Sequence, residues 1–162
     1  MDKIIYDQIG IIRSPFNTNV NMPVQPAAGK GIKGSVELDP EYLPGLKDIE
    51  GFSHIILIYH LHLSKGFNLV VRPFFDTEMR GVFATRAPRR PNQIGLSVVK
   101  LIKAEGNILY IENVDIVDGT PLLDIKPYVQ EFDAAENIRT GWFNKHGSAL
   151  SDKRSDKRFI NL

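Results

Sequence analysis

The sequence predicts a mainly β fold, a small β-barrel with long loops and short helical turns. Three observations carry that prediction. Short runs rich in β-branched and aromatic residues recur at close spacing. Almost no 3.6-residue hydrophobic pattern stands between them. Ala104-Glu105-Gly106-Asn107 closes a hairpin between two of the runs. At 162 residues with 43% hydrophobic side chains, the chain matches one domain with a sizeable core. We place the barrel domain at residues 1–140 and read 141–162 as a tail, exposed or partly helical.

Taken in order, Ile4 to Arg13 is apolar and β-branched, stops at Ser14-Pro15, and reads as a first strand. Phe16 to Lys33 is rich in Asn, Pro, Gly and Ala without periodicity, the composition of a long loop and, in a compact domain, often of a binding loop. Gly34 to Leu38 resumes as a strand. Asp39-Pro40 then offers a cap and a first-position proline for a short helical turn. Phe52 to Leu63 is the most hydrophobic run; its alternation suits a strand buried on both faces early and on one face late. Further strands are expected at Asn68 to Pro73, Gly81 to Thr85, Leu96 to Lys103 and Ile108 to Val117. Asp118-Gly119-Thr120-Pro121 is a turn by composition, and Asp124 with Lys126 could form a weak surface ion pair. The tail repeats Ser-Asp-Lys-Arg at 151–154 and 155–158, a pattern typical of a solvated end.

The stretch with chemical character is Thr85 to Ser97. Pro88, Pro91 and Gly95 exclude a regular helix and leave a fixed, irregular loop between two strands. No acid occurs from Met79 to Ala104, whereas Arg80, Arg86, Arg89, Arg90, Lys100 and Lys103 are all basic. Forked guanidinium donors suit a carboxylate or phosphate. Scattered arginines more often mark a solvated loop, but such a loop has no need of two prolines.

Composition excludes several chemistries. A net charge of +1 gives no overall attraction to nucleic acid, so any RNA contact must be local. The absence of cysteine excludes disulfides, thiolate nucleophiles and cysteine zinc sites. His60 and His62 share a strand face, yet no further ligand stands at metal spacing, so no metal is expected. No run reaches membrane-spanning length and no apolar signal core follows Met1-Asp2-Lys3, which leads to the expectation of a soluble, cytoplasmic protein with no membrane contact. No Gly-x-Gly-x-x-Gly opens a helix after a strand, so a Rossmann site is not available.

Phe83-Ala84-Thr85-Arg86 followed by Arg90-Pro91-Asn92-Gln93-Ile94-Gly95-Leu96-Ser97 resembles the signature of the TsaA-like family, also called TrmO, of S-adenosylmethionine-dependent tRNA N6-methyltransferases. Ile9 to Pro15, Pro23 to Pro26, Gly51 to His54 and Asp115 to Tyr128 agree as well, so the resemblance runs from about Ile4 to Phe132. Gln93 stands where members usually carry proline. Longer members carry a C-terminal domain beyond the region of resemblance.

The resemblance implies a small non-Rossmann β-barrel and S-adenosyl-L-methionine as cofactor. It implies cofactor contacts from Gln25, Pro26, Ala27, His62, Leu63, Arg86, Leu96, Asp118, Gly119, Thr120 and Pro121. It also implies a tRNA substrate, threonylcarbamoyladenosine beside the anticodon, and a homodimer. Charge and position assign Arg89 and Arg90 to the substrate; Pro88 and Pro91 bracket the pair and are expected to hold it at the projecting part of the loop. No catalytic residue is assigned, because an activated methyl donor mainly needs positioning and exclusion of water. Two rival readings stand beside this one: a module that binds adenosylmethionine or RNA without chemistry, and a methyltransferase for another RNA or nucleoside.

Overall fold

The computed structural model describes residues 3–145 and 154–159. Its strands are β1 (Gly10–Arg13), β2 (Lys33–Leu38), β3 (His54–His60), β4 (Val70–Val71), β5 (Arg80–Gly81), β6 (Ile94–Glu105), β7 (Ile108–Glu112) and β8 (Thr120–Pro127), followed by a single α-helical turn, α1 (Gln130–Asp133). Six of these strands close a barrel in the order β1-β2-β7-β6-β3-β8, and β4-β5 form a separate pair. Every barrel pairing is antiparallel, including the β1–β8 pairing that closes it. Closure removes the free sheet edges that a mainly β chain must otherwise cover.

Alternation decides which side chains fill the interior. Ile55, Leu57 and Tyr59 of β3 point inward against Val99 and Leu101 of β6, Leu109 and Ile111 of β7, and Ile12, Val36 and Leu122. Each such aliphatic side chain contributes about 1.5–3 kcal/mol on burial. A second, smaller cluster of Val71, Val82, Ala87 and Phe159, with Phe74 against it, lies under the β3–β6 connection. It gives that long segment a core of its own.

The register places the ends of β1, β3 and β7 beside the starts of β2, β6 and β8: Arg13 faces Ser35, Lys33 faces Glu112, His60 faces Ile94 and Ile12 faces Thr120. Three of the four connections longer than a tight hairpin, 14–32, 61–93 and 113–119, therefore emerge at one end of the barrel. The opposite end carries the segment 39–53 and the tight β6–β7 hairpin, where Gly106 takes a positive φ of 58°.

Several expectations change. The strand expected at Asn68 to Pro73 covers only Val70–Val71, and the one expected at Ile108 to Val117 ends at Glu112, where Asn113 takes a positive φ of 70°. The first strand spans only Gly10–Arg13, because Gly10 already pairs with Leu38, the last residue of β2, and the exposed Ile4, Ile5 and Tyr6 lie beyond that partner. Asp39 precedes a 3-10 helix over Pro40–Leu46 but makes no side-chain cap bond. Val82–Ala84 is a 3-10 turn rather than a strand, since the Thr85 hydroxyl donates to the Val82 carbonyl at 2.9 Å and folds the chain back. Of the turn expected at 118–121, Asp118 and Gly119 form it, whereas Thr120 and Pro121 already belong to the strand Thr120–Pro127, which is paired on both sides. The Asp124–Lys126 pair forms within it at 2.8 Å, in the open. In the tail, 3-10 turns cover Gly141–Lys145 and Lys157–Phe159, and Phe159 is buried; residues 151–153 of the repeat lie outside the described residues.

Candidate functional site

A cavity of about 1000 Å³ opens at the barrel end from which the three long connections emerge. This is at the upper end of the range for small-molecule sites. Its walls are mostly carbon: Pro26, Leu61, Leu63, Leu96 and Ile116 among others. The 14–32 connection contributes Gln25, Pro26 and Ala27, the 61–93 connection His62, Leu63 and Arg86, and the start of β8 Thr120. Of the eleven residues expected at a cofactor, Gln25, Pro26, Ala27, His62, Leu63, Arg86, Leu96 and Thr120 thus meet around one space.

Two of them are joined directly. Arg86 Nη1 donates to Gln25 Oε1 at 2.9 Å, across 61 positions of sequence. That bond points the guanidinium into the cavity mouth and leaves the amide nitrogen of Gln25 as a donor. His62 is held from the other side. The Thr120 hydroxyl gives its only proton to the Val117 carbonyl at 2.7 Å, so towards His62 Nδ1, 3.3 Å away, it acts as acceptor. This assigns the proton to Nδ1 and leaves Nε2 as an acceptor. Burial, with His60 nearby, lowers the His62 pKa below the usual histidine value, so the ring is neutral at pH 7.

Asp118, Gly119 and Pro121 are not in the cavity lining. Asp118 Oδ1 accepts from the Ser14 amide at 3.0 Å, its own amide donates to Phe16 O at 2.7 Å, and Gly119, at φ 74°, donates to Ile12 O at 2.9 Å. Pro121 sits in β8 opposite Ile11. These residues lock the 113–119 connection to the end of β1 and thereby set the position of Thr120.

The arginine loop is fixed, as its prolines suggest, but it is folded inward. Arg90 is half-buried and its Nη1 lies 3.3, 2.9 and 3.3 Å from the carbonyl oxygens of Val82, Thr85 and Ala87. Its guanidinium acts as an internal clamp on the turn that presents Arg86. Arg89 is half-buried, outside the cavity lining, with its carbonyl accepting from the Asn68 amide at 3.3 Å. The pair therefore does not project. Gln93, in place of the family's proline, donates through Nε2 to Gly66 O at 3.1 Å. That bond ties two parts of the connection together and offsets some of the lost stiffness.

Sequence reasoning missed one group in the cavity. Asp115 Oδ1 accepts from Ser97 Oγ at 2.7 Å, and Ser97 Oγ is 2.9 Å from Tyr59 Oη. With its proton given to the carboxylate, Ser97 accepts from Tyr59. Tyr59 and Asp115 line the cavity. Gly95 is required here because a Cβ at this position would overlap the Tyr59 ring. Burial pushes the Asp115 carboxyl up to about 6, against the opposing pull of Ser97, its own backbone amide and Arg86. Burial and the Asp115 charge also push the Tyr59 phenol up, so it stays protonated. Asp115 opens the stretch 115–128 that resembles the family, but nothing around it in sequence gives it a role; the pairing of β3 with β6 brings Tyr59 and Ser97 together beside it.

Among the described residues no cluster of three or more His, Cys, Asp or Glu could hold a metal ion. Among them, too, no helix is long and apolar enough to cross a membrane.

Known proteins share this sequence and this fold. The family profile described as tRNA-methyltransferase O N-terminal domain matches residues 11–134. A Pyrococcus abyssi protein described as a probable S-adenosyl-L-methionine-binding protein is 58% identical over 159 residues, covering 98% of this chain and 86% of that one. The mouse tRNA (adenine(37)-N6)-methyltransferase is 35% identical over 162 residues, covering 94% of this chain but 37% of that protein. The crystal structure of TrmO from Pseudomonas aeruginosa superposes with a TM-score of 0.74 at 37% identity, covering 87% of this chain and 63% of that one. This chain thus spans less than two thirds of the length of these last two.

Proposed function

From the premise that this chain belongs to the TrmO family, matched over residues 11–134, we propose that it is an S-adenosyl-L-methionine-dependent methyltransferase acting on adenosine 37 of tRNA. The observation that carries the reading is the Arg86–Gln25 pair set in a largely apolar cavity with His62, Thr120 and Leu96 around it. Adenosylmethionine presents a carboxylate, an amino group, an adenine edge and an apolar body. The residues suit these groups: Arg86 the carboxylate, Gln25 and the His62 Nε2 acceptor the polar edges, and Pro26, Leu63 and Leu96 the apolar body. When bound, the cofactor supplies an activated methyl group.

The protein's own contribution is positioning. The Asp118–Ser14 and Gly119–Ile12 bonds hold the β8 entrance, the Arg90 clamp holds the turn before β6, and the carbon-rich wall excludes water. The acceptor is the exocyclic N6 of threonylcarbamoyladenosine beside the anticodon, a reading supported by the resemblance of residues 83–97 and 115–128 to the family with that substrate. That nucleoside and its flanking phosphates carry negative charge, and Arg89, next to the cavity-lining Pro88 and Arg90, has the charge and the position for that contact. The active form is read as a homodimer in the cytoplasm; the exposed apolar residues Phe83, Ile94 and Leu96 of the cavity lining support the pairing. Titration calorimetry with adenosylmethionine tests the reading: saturable one-site binding is expected, and no heat of binding from folded protein contradicts it.

A further inference from the structure

We propose that Asp115 is the proton acceptor of this cavity, held in place by a hydrogen-bonded chain through Ser97 to Tyr59. The proposal rests on the methyl-transfer reading above and adds a residue that nothing in that reading requires. An exocyclic nitrogen that gains a carbon substituent becomes cationic unless it sheds its hydrogen. As the new nitrogen–carbon bond forms, the carbon–sulfur bond breaks and its electron pair stays on sulfur. The nitrogen's proton then passes to the Asp115 carboxylate, and from there to water once the products leave.

The geometry supports this role in three ways. First, the carboxylate is fixed from behind rather than from the cavity: Ser97 Oγ donates at 2.7 Å and Tyr59 Oη stands 2.9 Å from that oxygen. Ser97 and Tyr59 are 1% and 6% exposed, so the chain is shielded and has one orientation. Secondly, the acceptor capacity of the carboxylate is not used up. An ionised carboxylate accepts about four hydrogen bonds; among the described residues, Ser97 and its own backbone amide are the ones that hydrogen-bond it. Thirdly, the groups facing it keep it available near neutrality. Tyr59 from β3 stays protonated, Ser97 from β6 donates, and Arg86 from the 61–93 connection favours the charged form without an ion pair that would quench it. A base that titrates close to working pH combines the right protonation state with useful driving force. Besides the arginines, the lining holds two further titratable groups, His62 and Asp156; the His62 Nε2 acceptor is assigned to the cofactor's polar edge above, and Asp156 is exposed.

The test follows single-turnover methylation of a tRNA anticodon stem-loop against pH, with adenosylmethionine affinity measured by calorimetry in parallel. The wild-type rate should fall about ten-fold per pH unit below an apparent pKa near 6. Asp115→Asn should lower the rate by roughly a hundred- to ten-thousand-fold, remove the acid limb and leave cofactor affinity near that of the wild type. Ser97→Ala, which removes a hydrogen bond to the charged form, should move the acid limb to higher pH. A carboxyl-carbon NMR titration of wild-type protein needs no variant: Asp115 should titrate near 6, and a value in the ordinary aspartate range overturns the proposal. So does an Asp115→Asn protein that methylates at the wild-type rate, or one that is slowed but keeps the acid limb, which would assign the limb to another group of the lining, His62 or Asp156. Wild-type protein that binds no adenosylmethionine overturns the methyl-transfer reading itself, a result distinct from either of these.

Discussion

Arg86 does two things at once: it is the cation of the cavity mouth, and its bond to Gln25 holds the 14–32 connection over the cavity. Arg86→Ala should therefore weaken adenosylmethionine binding by about 1.5–3 kcal/mol, roughly ten- to hundred-fold, as expected for a charge-assisted contact. Calorimetry on the folded variant checks this; unchanged affinity removes Arg86 from the site. Asp115 predicts an effect of opposite sign on stability. Its native pKa of about 6 lies above the ordinary 3.8, so the folded protein binds this proton more tightly than the unfolded chain. Stability then falls as pH rises from about 3.8 to 6, and above 6 the buried charge costs about 3 kcal/mol. Asp115→Asn should stabilise the protein at pH 8 by up to about that amount, and the gain should vanish below pH 4. Urea melts at the two pH values measure it, and a variant destabilised at pH 8 would show that the carboxylate serves the fold. At this scale the sequence was informative where a residue type matched a motif. Gln25, His62, Arg86 and Leu96, the residues the motif singled out, line one cavity. Asp115 was illegible because its partners are set by strand register rather than by neighbours in sequence.

Arg90 belongs to the scale of the element, since its guanidinium binds the carbonyls of Val82, Thr85 and Ala87 and not a partner molecule. Arg90→Ala should loosen the turn, with a loss of about 1.5–3 kcal/mol for its charge-assisted bonds. Faster amide exchange over residues 82–90 and weaker adenosylmethionine binding are both expected. Arg89→Ala should leave cofactor affinity intact and make the salt slope of tRNA binding shallower by about 1. An Arg90→Ala protein with unaltered exchange in this turn would refute the clamp. The strands with continuous apolar or alternating runs, β3, β6 and β7, were legible because their burial pattern is written residue by residue. β8 was not, because prolines at 121 and 127 and the Asp118-Gly119 turn weaken its strand signal, yet pairing with β1 and β3 overrides them. Ile4 to Ile9 failed the other way: strand-like composition counts for little where no partner strand extends to meet it.

For the whole molecule, the arrangement of chain connections explains why chemistry gathers at one end. Three long connections share that end and bring together residues as distant as Gln25, Arg86 and Thr120, while the closed barrel beneath supplies a rigid base. Phe83, Ile94 and Leu96 are 75%, 43% and 49% exposed, and a second copy covering them would place its loops beside the cavity. Light scattering at micromolar concentration should report a dimer, and Phe83→Glu should shift it towards monomer; a wild-type monomer would contradict the assembly. Methyl transfer from this cavity to tRNA is the central proposal. Its most direct test is to incubate the protein with adenosylmethionine and tRNA carrying threonylcarbamoyladenosine, digest the tRNA and analyse the nucleosides by mass spectrometry. The expected product is the N6-methylated form of that nucleoside, made by wild-type protein and strongly reduced with Arg86→Ala. Cofactor-bound wild-type protein that leaves every tRNA nucleoside unmethylated would contradict the account.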